Sequence, residues 1–198
     1  QTPPWHILFN GQTHHATAKT CHLTLPPSAY KGLTVGRAHL AKGKLVEAPM
    51  DFEAKNQMGI RALQGMLIRL VRPDLVAPTE RFVLAKPHRE FLVKALSEPA
   101  GEGHDPYRFK PMMRGVERIR PRAKLRIVSK AGKAYGFRID NAYIEEPHTG
   151  RAFFITAGLH VDLDGVLNDD TYDYELADRF LADLAEGVAR AVLDRGLR

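Results

Sequence analysis

A lysine followed two residues later by a glycine, Lys130-Ala131-Gly132, is the shortest stretch here with a clear route to chemistry. A lysine on a strand edge can present positive charge to a cleft, and the glycine lets a ligand approach the backbone closely. Taken alone, the triplet also fits an ordinary hairpin. Ser28-Ala29-Tyr30-Lys31 has the spacing of a serine nucleophile with a lysine one helical turn later. That chemistry needs a helix, and Gly32-Leu33-Thr34-Val35-Gly36 follows at once, which reads as turn and strand, so the match is taken as coincidental. Ala54-Lys55-Asn56 imitates a Ser-x-Asn element without its hydroxyl, and Asn56 reads as a helix cap.

The other clusters have simpler explanations. His14-His15 and Cys21-His22 offer four zinc donors at a spacing that fits no common structural site, so no metal is expected. Asp162, Asp164, Asn168, Asp169, Asp170 and Asp173 resemble a calcium loop in composition only. Gly165 directly follows the second aspartate, whereas the calcium loop needs three alternating oxygen ligands before its glycine. They read as turn-forming and capping carboxylates, with Asp170 or Asp173 near the positive end of a helix. Arg114, Arg118, Arg120, Arg122, Lys124, Arg126, Lys130 and Lys133 form a ladder that could meet phosphates. No aromatic residues interleave with it, which argues against single-strand nucleic-acid binding.

The chain has 198 residues, 44% hydrophobic and 26% charged, with a net charge of +6. These values fit a folded chain of one domain. No apolar run is long enough for a transmembrane helix. The lone Cys21 excludes an internal disulfide. From His160 to Arg198 there are ten acids and four bases, so the excess of positive charge lies upstream.

The elements that would position the candidates follow from periodicity. Residues 1–55 read as irregular with short strands, and 56–97 as helical. Ile60, Leu63, Leu67, Leu70 and Val71 share a helical face that Pro73 ends, and Phe91, Leu92, Ala95 and Leu96 form the stripe of a second helix. Glu98 to Pro111 reads as loop. A strand is expected from Arg122 to Lys130, with alternate basic and apolar residues and hence one buried face. Strands from Ala134 to Glu145 and from Arg151 to Val161 follow, joined by the turn at 146–150. Asp162 to Thr171 reads as loop. Asp173 to Leu193 reads as a long helix, with Leu176, Phe180, Leu184 and Val188 spaced by four and Ala177 and Leu181 beside them. The expected fold is α+β, with an antiparallel sheet and covering helices in two layers, and the last helix packed on the sheet; residues 122–198 supply this part of a single or partial domain.

Read with its surroundings, the stretch from Lys130 to Ile144 resembles the Lys-Thr-Gly strand and following strand of class A β-lactamase-like, penicillin-binding serine hydrolases. Short blocks in the same order extend the likeness to a secreted bacterial branch: Pro49-Met50-Asp51-Phe52, Leu63-Gln64-Gly65, Arg81-Phe82 and Asp164 to Asp170. The resemblance implies acyl transfer through a serine, which uses Ser-x-x-Lys, Ser-x-Asn and Lys-Thr/Ser-Gly. Only the third element is matched. It implies that Lys130 supplies positive charge, that Gly132 keeps the strand edge open, and that the Lys133 backbone N–H is half of an oxyanion hole. Arg138 would pair with a substrate carboxylate. Ala131 stands where the family carries Thr or Ser, so the carboxylate-binding hydroxyl is missing. The implied substrate is a small or peptide-like molecule bearing a carboxylate. No metal, organic cofactor or nucleic acid is implied, and the protein would be exported to the periplasm or beyond. With one element of three present, Gln1 reads as a cut through a longer enzyme. A non-catalytic binding module on the same scaffold and a basic nucleic-acid-binding domain are the alternatives.

Overall fold

A computed structural model describes residues 5–9, 12–16, 32–55, 58–97 and 110–194. The chain divides into two compact units, Gln1–Leu33 and Thr34–Arg198. The first holds an antiparallel hairpin of β1 (Trp5–Phe9) and β2 (Gln12–Ala16). Ser28, Lys31, Cys21 and His22 lie outside the described residues, as do Asn56 and 98–109.

The second unit opens with short strands. β3 (Thr34–Val35) pairs antiparallel with β6 (Met50–Asp51), and β4 (Ala38–Ala41) with β5 (Lys44–Val46). Three helices follow: α1 (Ile60–Val71), α2 (Lys86–Ser97) and α3 (Pro111–Glu117). The main sheet is antiparallel, ordered β7 (Arg126–Ala134), β8 (Phe137–Glu146), β9 (Arg151–His160). β10 (Val166–Leu167) then pairs parallel with β4, and α4 (Tyr174–Leu193) closes the unit. The architecture is α+β, with α4 packed on the sheet.

The sheet is covered on both faces, which corrects the two-layer expectation. Ile127, Ala142, Ile144 and Ile155 face Met112, Met113 and Val116 of α3 and Leu181, Ala185 and Ala189 of α4. Val128 and Tyr143 face Leu67, Leu70 and Val71 of α1. Consecutive residues 127–129 are therefore all buried, and the strict one-face alternation fails where the strand is sandwiched.

Several boundaries move for related reasons. Arg122–Lys124 is a 3₁₀ turn after Pro121, so β7 begins at Arg126 and runs on to Ala134. Pro111, placed in the loop, occupies the first turn of α3, where its missing N–H costs nothing. Phe91, Leu92 and Ala95 are exposed; Val93 and Leu96 are the half-buried side of α2. On α4 the buried face is Ala177, Leu181, Ala182, Ala185, Ala189 and Leu193, while Leu176 and Phe180 are exposed. A small residue is needed where α3 crosses this face: a Cβ on Gly115 would lie 1.9 Å from the Ala182 carbonyl oxygen. The expected loop 162–171 contains β10, whose partner lies far back in the sequence.

Part of the basic ladder has carboxylate partners. Arg118 pairs with Asp183 and Glu186 of α4, Arg120 with Glu146 and Asp194, and Arg126 with Glu145. The charge asymmetry of the sequence is thus partly internal.

Candidate functional site at the edge of the sheet

β7 and β8 are joined by Tyr135 and Gly136, whose φ values of 51° and 76° are both left-handed. Two such residues make the mirror-image turn that suits the twist of a tight hairpin. The strand expected to end at Lys130 therefore runs on through Ala131 and Gly132 to Ala134, and the turn lies beyond it. Glycine is required at 136 by space as well as by φ. A Cβ there would lie 2.9 Å from His160 Nε2 and 3.2 Å from Asp162 Cβ.

This turn fixes which backbone groups face out. Ala134 opposite Phe137 closes the hairpin as a hydrogen-bonded pair, and such pairs alternate along the ladder. Gly132–Ile139 and Lys130–Asn141 are then hydrogen-bonded pairs. Ala131 and Lys133 direct their N–H and C=O groups away from β8, over the open edge of the sheet. The Ala131 carbonyl accepts a bond of 2.6 Å from Lys130 Nζ, consistent with that direction.

Outside this edge lies an open groove of about 990 Å³. Lys130, Ala131, Gly132, Lys133 and Arg138 all line it, so every residue singled out for the site borders one space. Side chains distribute by strand parity. Lys130 and Gly132 belong to the face that packs on α1, while Ala131, Lys133 and Arg138 belong to the face that packs on α3 and α4.

Arg138 is built into the body of the protein. Its side chain is 3% exposed, its Nε donates to Asp178 Oδ1 of α4 at 2.5 Å, and a terminal nitrogen donates to the Gly132 carbonyl at 3.3 Å. The guanidinium thus connects the last helix to the Lys-x-Gly segment. The geometry gives it a positioning contact in place of an open substrate contact. Next to it, Asp140 is fully buried and accepts N–H bonds from Met112 at the start of α3 and from Asn141. Burial pushes its carboxyl above the usual aspartate range; the two N–H bonds pull the other way and are outweighed.

The opposite wall comes from residues that sequence reasoning assigned elsewhere or passed over: Tyr135, Asn168, Asp170, Tyr172 and Tyr174. Asn168 and Asp170 both have left-handed backbones, with φ of 65° and 64°. Asn168 is held there by its N–H to Tyr172 Oη at 2.7 Å and by its amide to the Leu40 carbonyl at 2.8 Å. Asp169 accepts from the Thr171 N–H, and Asp164 from that of Val166, as expected for turn-forming carboxylates. Asp173 occupies the N-cap position of α4, yet its carboxylate accepts from Leu163 N–H and makes no cap bond. Tyr174 Oη accepts from Gly136 N–H, which ties the hairpin turn to the start of α4. Burial raises the Tyr172 and Tyr174 phenols, so both stay neutral at physiological pH. Lys55, read in the sequence as part of a hydroxyl-less Ser-x-Asn, donates to Tyr135 Oη at 3.1 Å. The run Asn168-Asp169-Asp170 was the one available signal for the far wall, because Asn and Asp tolerate left-handed backbone.

Comparison with protein-family models, curated proteins and solved structures gives no match. The structure itself defines a class, an α+β protein with an antiparallel sheet between helices and a groove at the sheet edge. Among the described residues no helix is long and apolar enough to cross a membrane, and no cluster of three metal-ligating side chains occurs.

Proposed function

We propose that this chain is the C-terminal part of a serine hydrolase of the β-lactamase/penicillin-binding type, carrying the Lys-x-Gly strand of an acyl-serine mechanism. One observation carries the reading: the residues assigned from the resemblance line a single groove at an open strand edge, with the Lys133 N–H directed over that edge. Lys130 supplies charge to the groove. Gly132 leaves its edge clear, since a Cβ there would meet nothing within 4 Å. The Lys133 N–H serves as one oxyanion donor, as a preorganised backbone amide does in acyl transfer. The substrate carries a carboxylate, and the enzyme works outside the cytoplasm. The nucleophile and Ser-x-Asn elements come from outside the described residues.

A second reading, a non-catalytic binding module on the same scaffold, is favoured by one fact: no serine is among the described residues that line the groove. Covalent labelling separates the two. A longer chain joining this segment to Ser-x-x-Lys and Ser-x-Asn should be acylated by a fluorophosphonate or a fluorescent penicillin. Lys130→Ala in it should slow acylation by about tenfold or more, the scale of losing one electrostatic contact to the transition state, with the unfolding transition unchanged. A change in stability alone would show that Lys130 is not a site residue. The 198-residue chain by itself should remain unlabelled; stoichiometric labelling at Ser28 would reinstate Ser28 and Lys31 as the catalytic pair.

A further inference from the structure

The two walls of the groove differ in sign. β7 contributes two exposed lysines, Lys130 and Lys133. The loop from Asn168 to Tyr174 contributes Asp170, also exposed, with the rings of Tyr172 and Tyr174. A site meant only for anions gains nothing from a carboxylate in its lining, because like charge repels the ligand. The tyrosine wall already receives a cation, since Lys133 Nζ lies 5.0 Å from the centre of the Tyr174 ring. Aromatic faces attract ammonium groups at such distances. The Asp170 loop is also fixed in place, through Asn168 to Leu40 and Tyr172 and through Asp169 to Thr171. Asp170 thus lines the same groove as Lys130 on a braced stretch of backbone.

We infer that the groove takes an amphoteric ligand, an amino acid or short peptide with a free amino group, whose carboxylate meets Lys130 and whose ammonium meets Asp170 and the ring of Tyr172, the Tyr174 face being covered by Lys133. The carboxylate end rests on the reading proposed above; the ammonium end is new and rests on the opposite wall. The volume accommodates a tripeptide-sized molecule. Molecules with two carboxylates and no amine are disfavoured, because one anionic end must then face Asp170.

The test is an NMR titration of the whole 198-residue chain with trialanine, N-acetyl-trialanine and trialanine amide. Trialanine should shift the amide resonances of residues 130–135 and 168–174. Acetylation and amidation should each weaken binding about three- to fivefold, the scale of one exposed ion pair. Asp170→Asn should remove the penalty for acetylation and keep that for amidation. Asparagine tolerates the left-handed backbone at this position, so the fold is retained. Equal binding of free and acetylated peptide overturns the inference. So does an acetylation penalty that survives in Asp170→Asn, or the absence of any groove shifts with all three peptides. Serine acylation in the longer chain reads the hydrolase assignment separately. If acylation occurs without the amine preference, only the amphoteric ligand fails. If the preference appears without acylation, the inference stands and the hydrolase assignment fails.

Discussion

Arg138 gives the sharpest test of how the groove is held. Replacing it by methionine keeps much of the side chain's apolar length and removes the guanidinium. Asp178 then loses a 2.5 Å partner, and the Gly132 carbonyl loses a donor at 3.3 Å. Removing one member of a buried pair costs about 3–5 kcal/mol when the other stays buried. Asp178 is 21% exposed, so it recovers part of its hydration, and the expected loss is about 2–4 kcal/mol. Urea unfolding monitored by far-UV circular dichroism measures it. Asp178→Asn alone and the double variant complete a cycle, with an expected coupling of about 1.5 kcal/mol or more. Amide exchange adds a local readout: residues 131–134 should lose protection in Arg138→Met beyond the global change. A single-variant loss below about 0.5 kcal/mol, the range of an ordinary surface substitution, would refute the reasoning. So would a coupling near zero. Either result would return Arg138 to the role first read from the sequence, a cation available to substrate.

Two further outcomes test the packing beneath the groove. Gly115→Ala should destabilise by about 1–3 kcal/mol, although helix propensity alone predicts a gain of about 1 kcal/mol. The added Cβ meets backbone atoms of Ala182 and would force α3 away from α4; a higher unfolding midpoint would show that the helices separate freely. Asp140, whose carboxyl is raised by burial, binds its proton more tightly when folded than when unfolded. Stability from this group therefore falls as pH rises from the ordinary aspartate value through the raised folded value. Glu146, held low by the Thr149 hydroxyl and by Arg120, gives the opposite slope. Subtracting the pH profile of Asp140→Asn from that of the parent should leave a difference that declines with pH over this window; a flat difference would place Asp140 at its ordinary value.

The parts of the fold legible in the sequence were those set by local pattern. α1, the turn at 146–150, the order of three strands and the span of α4 follow from periodicity and from Pro and Gly. The misreadings share a cause, which is contact between distant segments. Consecutive burial at Ile127, Val128 and Ser129 requires helices on both faces, and α3 is a helix that no strong periodic signal announces. The leucine and phenylalanine row of α4 looked like its core stripe. Yet Leu176 and Phe180 are exposed, and the buried face is four alanines with Leu181 and Leu193, turned so that the α3 backbone at Gly115 lies against Ala182. A hydrophobicity pattern records which residues are apolar, not how near the neighbouring backbone comes.

The site divides along the same line. Its near wall is continuous in sequence, so Lys130 to Lys133 could be named from a short stretch. Its far wall depends on β10 pairing with β4, a parallel contact between residues 38–39 and 166–167 that leaves no local mark. That pairing leads the chain into the left-handed residues Asn168 and Asp170, and these turn it back toward Tyr172 and Tyr174. The Asn168 amide bond to Leu40 locks the same connection. The composition of 168–174 therefore reads as a capped turn when taken locally, and is a groove wall through its connection to β4. A ligand held between the two walls would bridge segments that the fold itself brings together through β4, which makes the β4–β10 contact a determinant of the site as well as of the scaffold.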